Sequence, residues 1–110
     1  MQEARSDVLQ GTLDMLILKA LSLGAMHGWG ITQRLQQISS EVILVQEGSL
    51  YPCLYRLQRK GLIVSEWGVS ENNRRARFYR LTTAGRKHLE VETEHWERMS
   101  RAVTQVLRHA

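Results

Sequence analysis

With 110 residues, 43% of them apolar and 24% charged, the chain suits one soluble globular domain and is short for a two-lobed cleft enzyme. A formal charge of +4 and a pI near 9.7 tilt it toward an anionic partner. The single cysteine, Cys53, excludes an internal disulfide and a Cys-x-x-Cys zinc pair, and the longest apolar run, MLILKALSLGAM, is interrupted by Lys19 and too short to cross a bilayer. The N-terminus lacks the basic-then-apolar order of a signal peptide, so a soluble cytoplasmic protein is the expectation.

In chain order, residues 8–23 predict a first helix. Leu13, Leu16, Ile17, Ala20 and Leu21 fall at i, i+3, i+4, i+7 and i+8 as an inward stripe, with Gly11 or Thr12 as its start and Gly24 as its stop. A second helix is expected near residues 30–39, with Ile31, Leu35 and Ile38 inward. The third begins around Glu47 to Ser49, because Pro52 is tolerated only where its missing N–H breaks no intrahelical bond, and it ends at Gly61. Segments 62–68 and 76–82 read as β strands, joined by a polar loop whose Asn72-Asn73 suits a hairpin turn. A final helix of about 25 residues follows Thr82-Thr83.

On that last helix Leu89, Trp96, Val103 and Ala110 recur every seven residues, with Met99 and Val106 interleaved and Glu92 the exception. A heptad seam with nothing left in the chain to cover it packs against a second copy, so Leu89, Trp96, Met99, Val103 and Val106 form the expected homodimer interface. The predicted fold class is mainly α with a small β-hairpin: a winged helix-turn-helix plus a long C-terminal helix. Residues 1–83 form the winged domain, and residues 84–110 the dimerisation helix.

No residue set supports catalysis. His27, His88, His95 and His109 lack the i, i+4 partner or nearby cysteines of a metal site, and Gly28-Trp29-Gly30 lacks the strand and third glycine of a phosphate loop. Neither a catalytic residue, a metal nor a cofactor is expected. Cys53 lies on the leucine side of its helix and reads as a small core residue.

The third helix carries the information about a partner. Leu50, Cys53, Leu54 and Leu57 share one face, while Tyr51, Pro52, Tyr55, Arg56, Arg59 and Lys60 occupy the other. Such a face is either solvated or the recognition surface for a DNA major groove. In the second case Tyr51 and Tyr55 touch phosphate, sugar or thymine methyls, and Ser49 reaches the duplex from the helix start. Arg74, Arg75 and Arg77 cluster at the hairpin tip and the start of its second strand, where a wing meets the flanking backbone or minor groove. Trp96 is either dimer packing or a flat apolar wall for an aromatic ligand between two subunits. A winged helix used purely for protein–protein contact is the remaining alternative, and the arginine-rich wing counts against it.

The segments LDMLILKAL, HGWGI, EGSLYPCLYRLQRKGLI and RRARFYRLTTAGRKHL resemble, in order and spacing, the PadR family of bacterial transcriptional regulators over about residues 7–108. The single terminal helix resembles its short subfamily. That resemblance implies a homodimeric repressor on a (pseudo)palindromic operator in double-stranded DNA, with the N-terminal helix 8–23 joining the C-terminal helix in the dimer. It also implies DNA-facing roles for Ser49, Tyr51, Tyr55, Arg74, Arg75 and Arg77, while the periodicity keeps Leu50 in the core. Some members hold a flat aromatic effector against a tryptophan of the terminal helix, a position that Trp96 matches. In RRARFYR, Ala76 and Arg77 depart from the family's more frequent Lys-Tyr type pair.

Overall fold

The computed structural model describes residues 2–110, with side chains described from Thr12 onward. The elements are α1 (Gln2–Ser22), β1 (Met26–His27), α2 (Gly28–Ile38), α3 (Glu47–Arg59), β2 (Ile63–Val69), β3 (Arg75–Leu81) and α4 (Thr83–Leu107). This is the expected mainly helical winged helix-turn-helix with a long C-terminal helix.

The helix α1 is longer than its apolar stripe, beginning at Gln2 instead of near Gly11 or Thr12. It is also more deeply buried than an amphipathic stripe allows. Leu13, Ile17, Leu18, Ala20 and Leu21 are all 2% exposed or less, since α2, α3, α4 and β3 pack around it. Around that central helix, Ile31 and Leu35 come from α2, Leu50, Cys53, Leu54 and Leu57 from α3, and Leu62, Ile63, Tyr79 and Leu81 from the sheet and its approach. Ile38 departs from the expected inward set. As the last residue of α2 it overruns the core and is largely exposed.

Two antiparallel strands were expected, and the sheet has three in the order β1-β3-β2. Met26 pairs with Tyr79 and His27 with Phe78, so two residues of the connection before α2 are stitched to the outside of the wing. Across the hairpin Ser65 pairs with Tyr79, Trp67 with Arg77 and Val69 with Arg75. With a side-chain period of two, these six share one face, which also carries Ile63 and Leu81 at its base. One face therefore changes from core to open surface along its length.

Gly61 stops α3 at φ +74°, a left-handed conformation that favours glycine, and its carbonyl accepts a hydrogen bond from Thr82 Oγ1 at 2.7 Å. Thr82 Oγ1 also caps α4 by accepting from the Gly85 N–H at 3.0 Å. Gly85 is buried and Leu89 packs on the core, but beyond them α4 leaves the body of the molecule. The longest dimension of the chain is 56 Å, against 29 and 22 Å for the others. Its radius of gyration of 15.2 Å exceeds the roughly 13 Å of a compact chain of this size.

Candidate nucleic-acid interface

The inward side of α3 is sealed, with Leu50, Cys53, Leu54 and Leu57 between 0% and 1% exposed. That burial fixes the roll of the helix and turns the remaining side chains outward. Tyr51 is 46% and Tyr55 64% exposed, and Pro52, Arg59 and Lys60 are exposed beside them, with Ser49 half-buried at the helix start. The Arg59 guanidinium carbon lies 5.7 Å from the centre of the Tyr55 ring. Glu47 opens the helix as expected, yet Pro52 is its sixth residue, past the first turn. The N–H it lacks belongs to the internal ladder and would have met the Gly48 carbonyl, which lies on the exposed side.

Arg56 was expected to stand with the outward set, but it is drawn to α1. Its NH2 group donates to Asp14 Oδ1 at 2.9 Å, in a half-buried ion pair. The same carboxylate oxygen accepts from the Cys53 thiol. Burial first, then this hydrogen bond and the nearby carboxylate charge, push the Cys53 pKa up to about 12. The thiol is therefore neutral, in keeping with a core residue and not with a nucleophile.

On the other flank of α3, Tyr51 leans over the start of α2. A Cβ added at Gly28 would stand 2.6 Å from the Tyr51 hydroxyl and 3.0 Å from the ring carbon bearing it. His27 accepts the Gly30 N–H through Nδ1 at 3.0 Å and caps α2, while its Nε2 lies 3.7 Å from the Glu71 carboxylate of the wing turn. Tyr51, the start of α2 and the inner wing face enclose a groove of about 770 Å³.

The wing face above that groove is ordered by Trp67. Arg75 stacks 4.5 Å from its ring centre and Arg77 5.4 Å. Arg77 Nε also donates to Ser65 Oγ at 2.9 Å, and Ser65 donates in turn to Gln58 Oε1 of α3 at 3.1 Å. Arg77 thus serves as a strut between wing and helix. Arg74 stands exposed at the turn, where Ser70 N–H reaches the Arg74 carbonyl at 2.8 Å and Asn73 takes φ +59°. Glu71 pairs with His27, and among the described residues Arg74, Arg75 and Arg77 form no salt bridge with Glu66 or Glu71.

The structure thus brings Ser49, Tyr51, Pro52, Tyr55, Arg59, Lys60, Arg74, Arg75 and Arg77 to the α3 surface and the wing beside it. Sequence reasoning missed Asp14, Gly28, Gln58, Ser65 and Trp67 as the residues that set this arrangement. The alternation of β2 and β3 carried a signal for Ser65 and Trp67; pairing Gly28 with Tyr51 required the fold. Trp96 lies apart on α4, 47% exposed, with Met99, Val103 and Val106 exposed along the same stripe and Leu89 on the core. Among the described residues no helix is long and apolar enough to cross a membrane.

Comparison with known proteins agrees with this architecture. A transcriptional regulator of Mycobacterium tuberculosis, Rv3488, is 41% identical over 78 residues, covering 71% of this chain and 69% of its own. A transcriptional regulator from Clostridium thermocellum superposes with a TM-score of 0.81 at 30% identity, covering 90% of this chain and 96% of that one. The PadR-like regulator BC4206 from Bacillus cereus gives 0.81 at 28% identity, covering 94% and 99%. Residues 17–91 match the family described as transcriptional regulator PadR-like, a span that takes in the last turns of α1 from Ile17, the whole helix-turn-helix, the wing and the first third of α4. The chain belongs to the PadR-like family of transcriptional regulators, non-enzymatic winged-helix proteins that bind DNA.

Proposed function

We propose that the protein is a homodimeric repressor in which residues 1–83 read a (pseudo)palindromic operator and residues 84–110 hold two copies together. Each subunit lays α3 in a major groove, with the two grooves about 34 Å apart on one face of the duplex. Tyr51, Tyr55 and Ser49 meet the groove, Arg59 and Lys60 its edge, and Arg74 and Arg75 the flanking phosphates. The observation that carries this reading is the division of α3 into a sealed leucine face and an aromatic, cationic face beside an arginine wing. A regulator with this target acts in the cytoplasm.

Gel shift with the region upstream of its own gene tests the reading. Binding is expected at low salt and should fall steeply as salt rises, because phosphate-bound counterions are released on association. Tyr51→Ala should abolish operator binding and leave the dimer intact, whereas normal binding by this variant would show that the reading face is misplaced.

A second reading concerns Trp96, half-exposed on a stripe that this chain leaves uncovered. Between two subunits its indole would form a wall for a flat aromatic effector that modulates the repressor. Planar phenolic or cationic compounds should quench tryptophan fluorescence, and Trp96→Ala should remove that quenching although Trp29 and Trp67 remain.

A further inference from the structure

Trp67 stands in the middle of β2, on the open part of the wing face, and is 56% exposed. An indole this open contributes little to a core, and its neighbours across the hairpin are cations. Arg77 is its direct partner in the strand register, and Arg75 is its diagonal neighbour two positions back along β3. Both guanidinium groups lie over the ring, with the Arg75 carbon 4.5 Å from its centre and the Arg77 carbon 5.4 Å. A single ring thus gathers two like charges from one face of β3.

The two arginines are held in different ways. Arg77 Nε donates to Ser65 Oγ at 2.9 Å, and Ser65 donates onward to Gln58 of α3. Arg75 is left to the ring. Glu66 alternates to the opposite face of the hairpin, beside Phe78, and Glu71 is turned to His27 at 3.7 Å. Among the described residues no carboxylate pairs with Arg75. The difference is chemical. A carboxylate would neutralise the guanidinium and occupy its N–H edge, whereas an indole meets only the flat face and leaves charge and donors free in the plane. Stacking also settles in advance the torsions that a long side chain otherwise loses on binding.

We infer that Trp67 is a positioning residue for the wing: its indole holds the Arg75 guanidinium, beside the anchored Arg77, in the orientation that meets a phosphate, and acts on DNA only through Arg75. This rests on the DNA-reading face proposed above, in which Arg75 meets the flanking phosphates.

The test is a double-mutant cycle on the full-length protein, titrated with the upstream duplex. It combines Arg75→Ala with Trp67→Val, which keeps a β-branched residue on the strand. Trp67→Val alone should weaken binding roughly fivefold, the scale of an exposed cation–π stack. In the Arg75→Ala background the same change should cost little further, since no guanidinium remains to be held. An equal loss in both backgrounds would make Trp67 a contact in its own right and overturn the positioning role. Arg75→Lys keeps the charge but gives up the planar stack, so it should lose about as much as Trp67→Val. Wild-type affinity in Arg75→Lys overturns the inference, and this variant decides should Trp67→Val not fold. A second readout needs no DNA. In proton NMR of the free protein, the ring current of Trp67 should move the Arg75 side-chain protons upfield, and Trp67→Val should return them to ordinary positions. Ordinary positions in the wild type overturn the stack. Binding lost in Tyr51→Ala and Arg75→Ala but untouched by Trp67→Val overturns the role of Trp67 alone. If Tyr51→Ala and Arg75→Ala both bind like the wild type, the reading face is misplaced and the role of Trp67 falls with it.

Discussion

At Asp14 one carboxylate of α1 takes two donors from α3, the Cys53 thiol and the Arg56 guanidinium. The arrangement ties the roll of α3 to the central helix of the core. It also has a pH consequence. The folded pKa of Cys53, about 12, lies above its ordinary value of 9.0, so the neutral thiol is favoured by folding. That contribution is fully present below pH 9.0 and is lost as pH rises through the folded value near 12. Burial raises the Tyr79 hydroxyl in the same sense. Urea midpoints should therefore fall on the alkaline side, and Cys53→Ala should flatten part of that fall; an unchanged slope in the variant would place the effect elsewhere. In the folded protein at neutral pH, Cys53 should react with thiol reagents far more slowly than after denaturation. The leucine-side position of Cys53 was readable from helical spacing. Its carboxylate partner, 39 residues away in sequence, was not.

Between elements, the contact of α2 with α3 is set by the absence of a side chain. The Tyr51 hydroxyl occupies the space that a Cβ at Gly28 would need, and a tyrosine ring cannot shorten to make room. Gly28→Ala should rotate the half-exposed Tyr51 ring from its seat, weakening operator binding by on the order of tenfold while leaving stability nearly unchanged, because the ring tip can swing toward solvent. Affinity and melting temperature measured together check it, and a variant with wild-type affinity would separate Gly28 from Tyr51 placement. The wing is held at the opposite end by the path from Arg77 through Ser65 to Gln58, which fixes its inner face against α3. Element boundaries of α2, α3, β2 and β3 were legible to within about two residues because capping, glycine and alternation are local signals. The strand β1 was not, because two residues carry no period and pair only through contact with β3.

At the scale of the molecule, the outer two thirds of α4 extends from the body with Trp96, Met99, Val103, Val106 and Leu107 between 47% and 79% exposed. Such a stripe on one helix is the shape of a self-association surface. Val103 supports no core in the single chain, so Val103→Glu should leave the fold intact. It should weaken dimerisation by roughly two orders of magnitude, by placing charge in an apolar seam. Sedimentation and circular dichroism on the same sample check both parts, and a Val103→Glu protein that remains dimeric would move the interface off this face.

The amino-acid sequence alone determined what depends on neighbours within a few positions: the three helices, the hairpin, the long terminal helix with its heptad stripe, and the split of α3 into leucine and tyrosine faces. The tertiary structure decided what depends on approach across the chain. It drew Arg56 to Asp14, turned Arg77 from a free cation into a strut, left Ile38 outside the core, and raised Trp29 beside α3. Periodicity says which way a side chain leaves its own backbone. Whether core, carboxylate or solvent waits there is settled by packing.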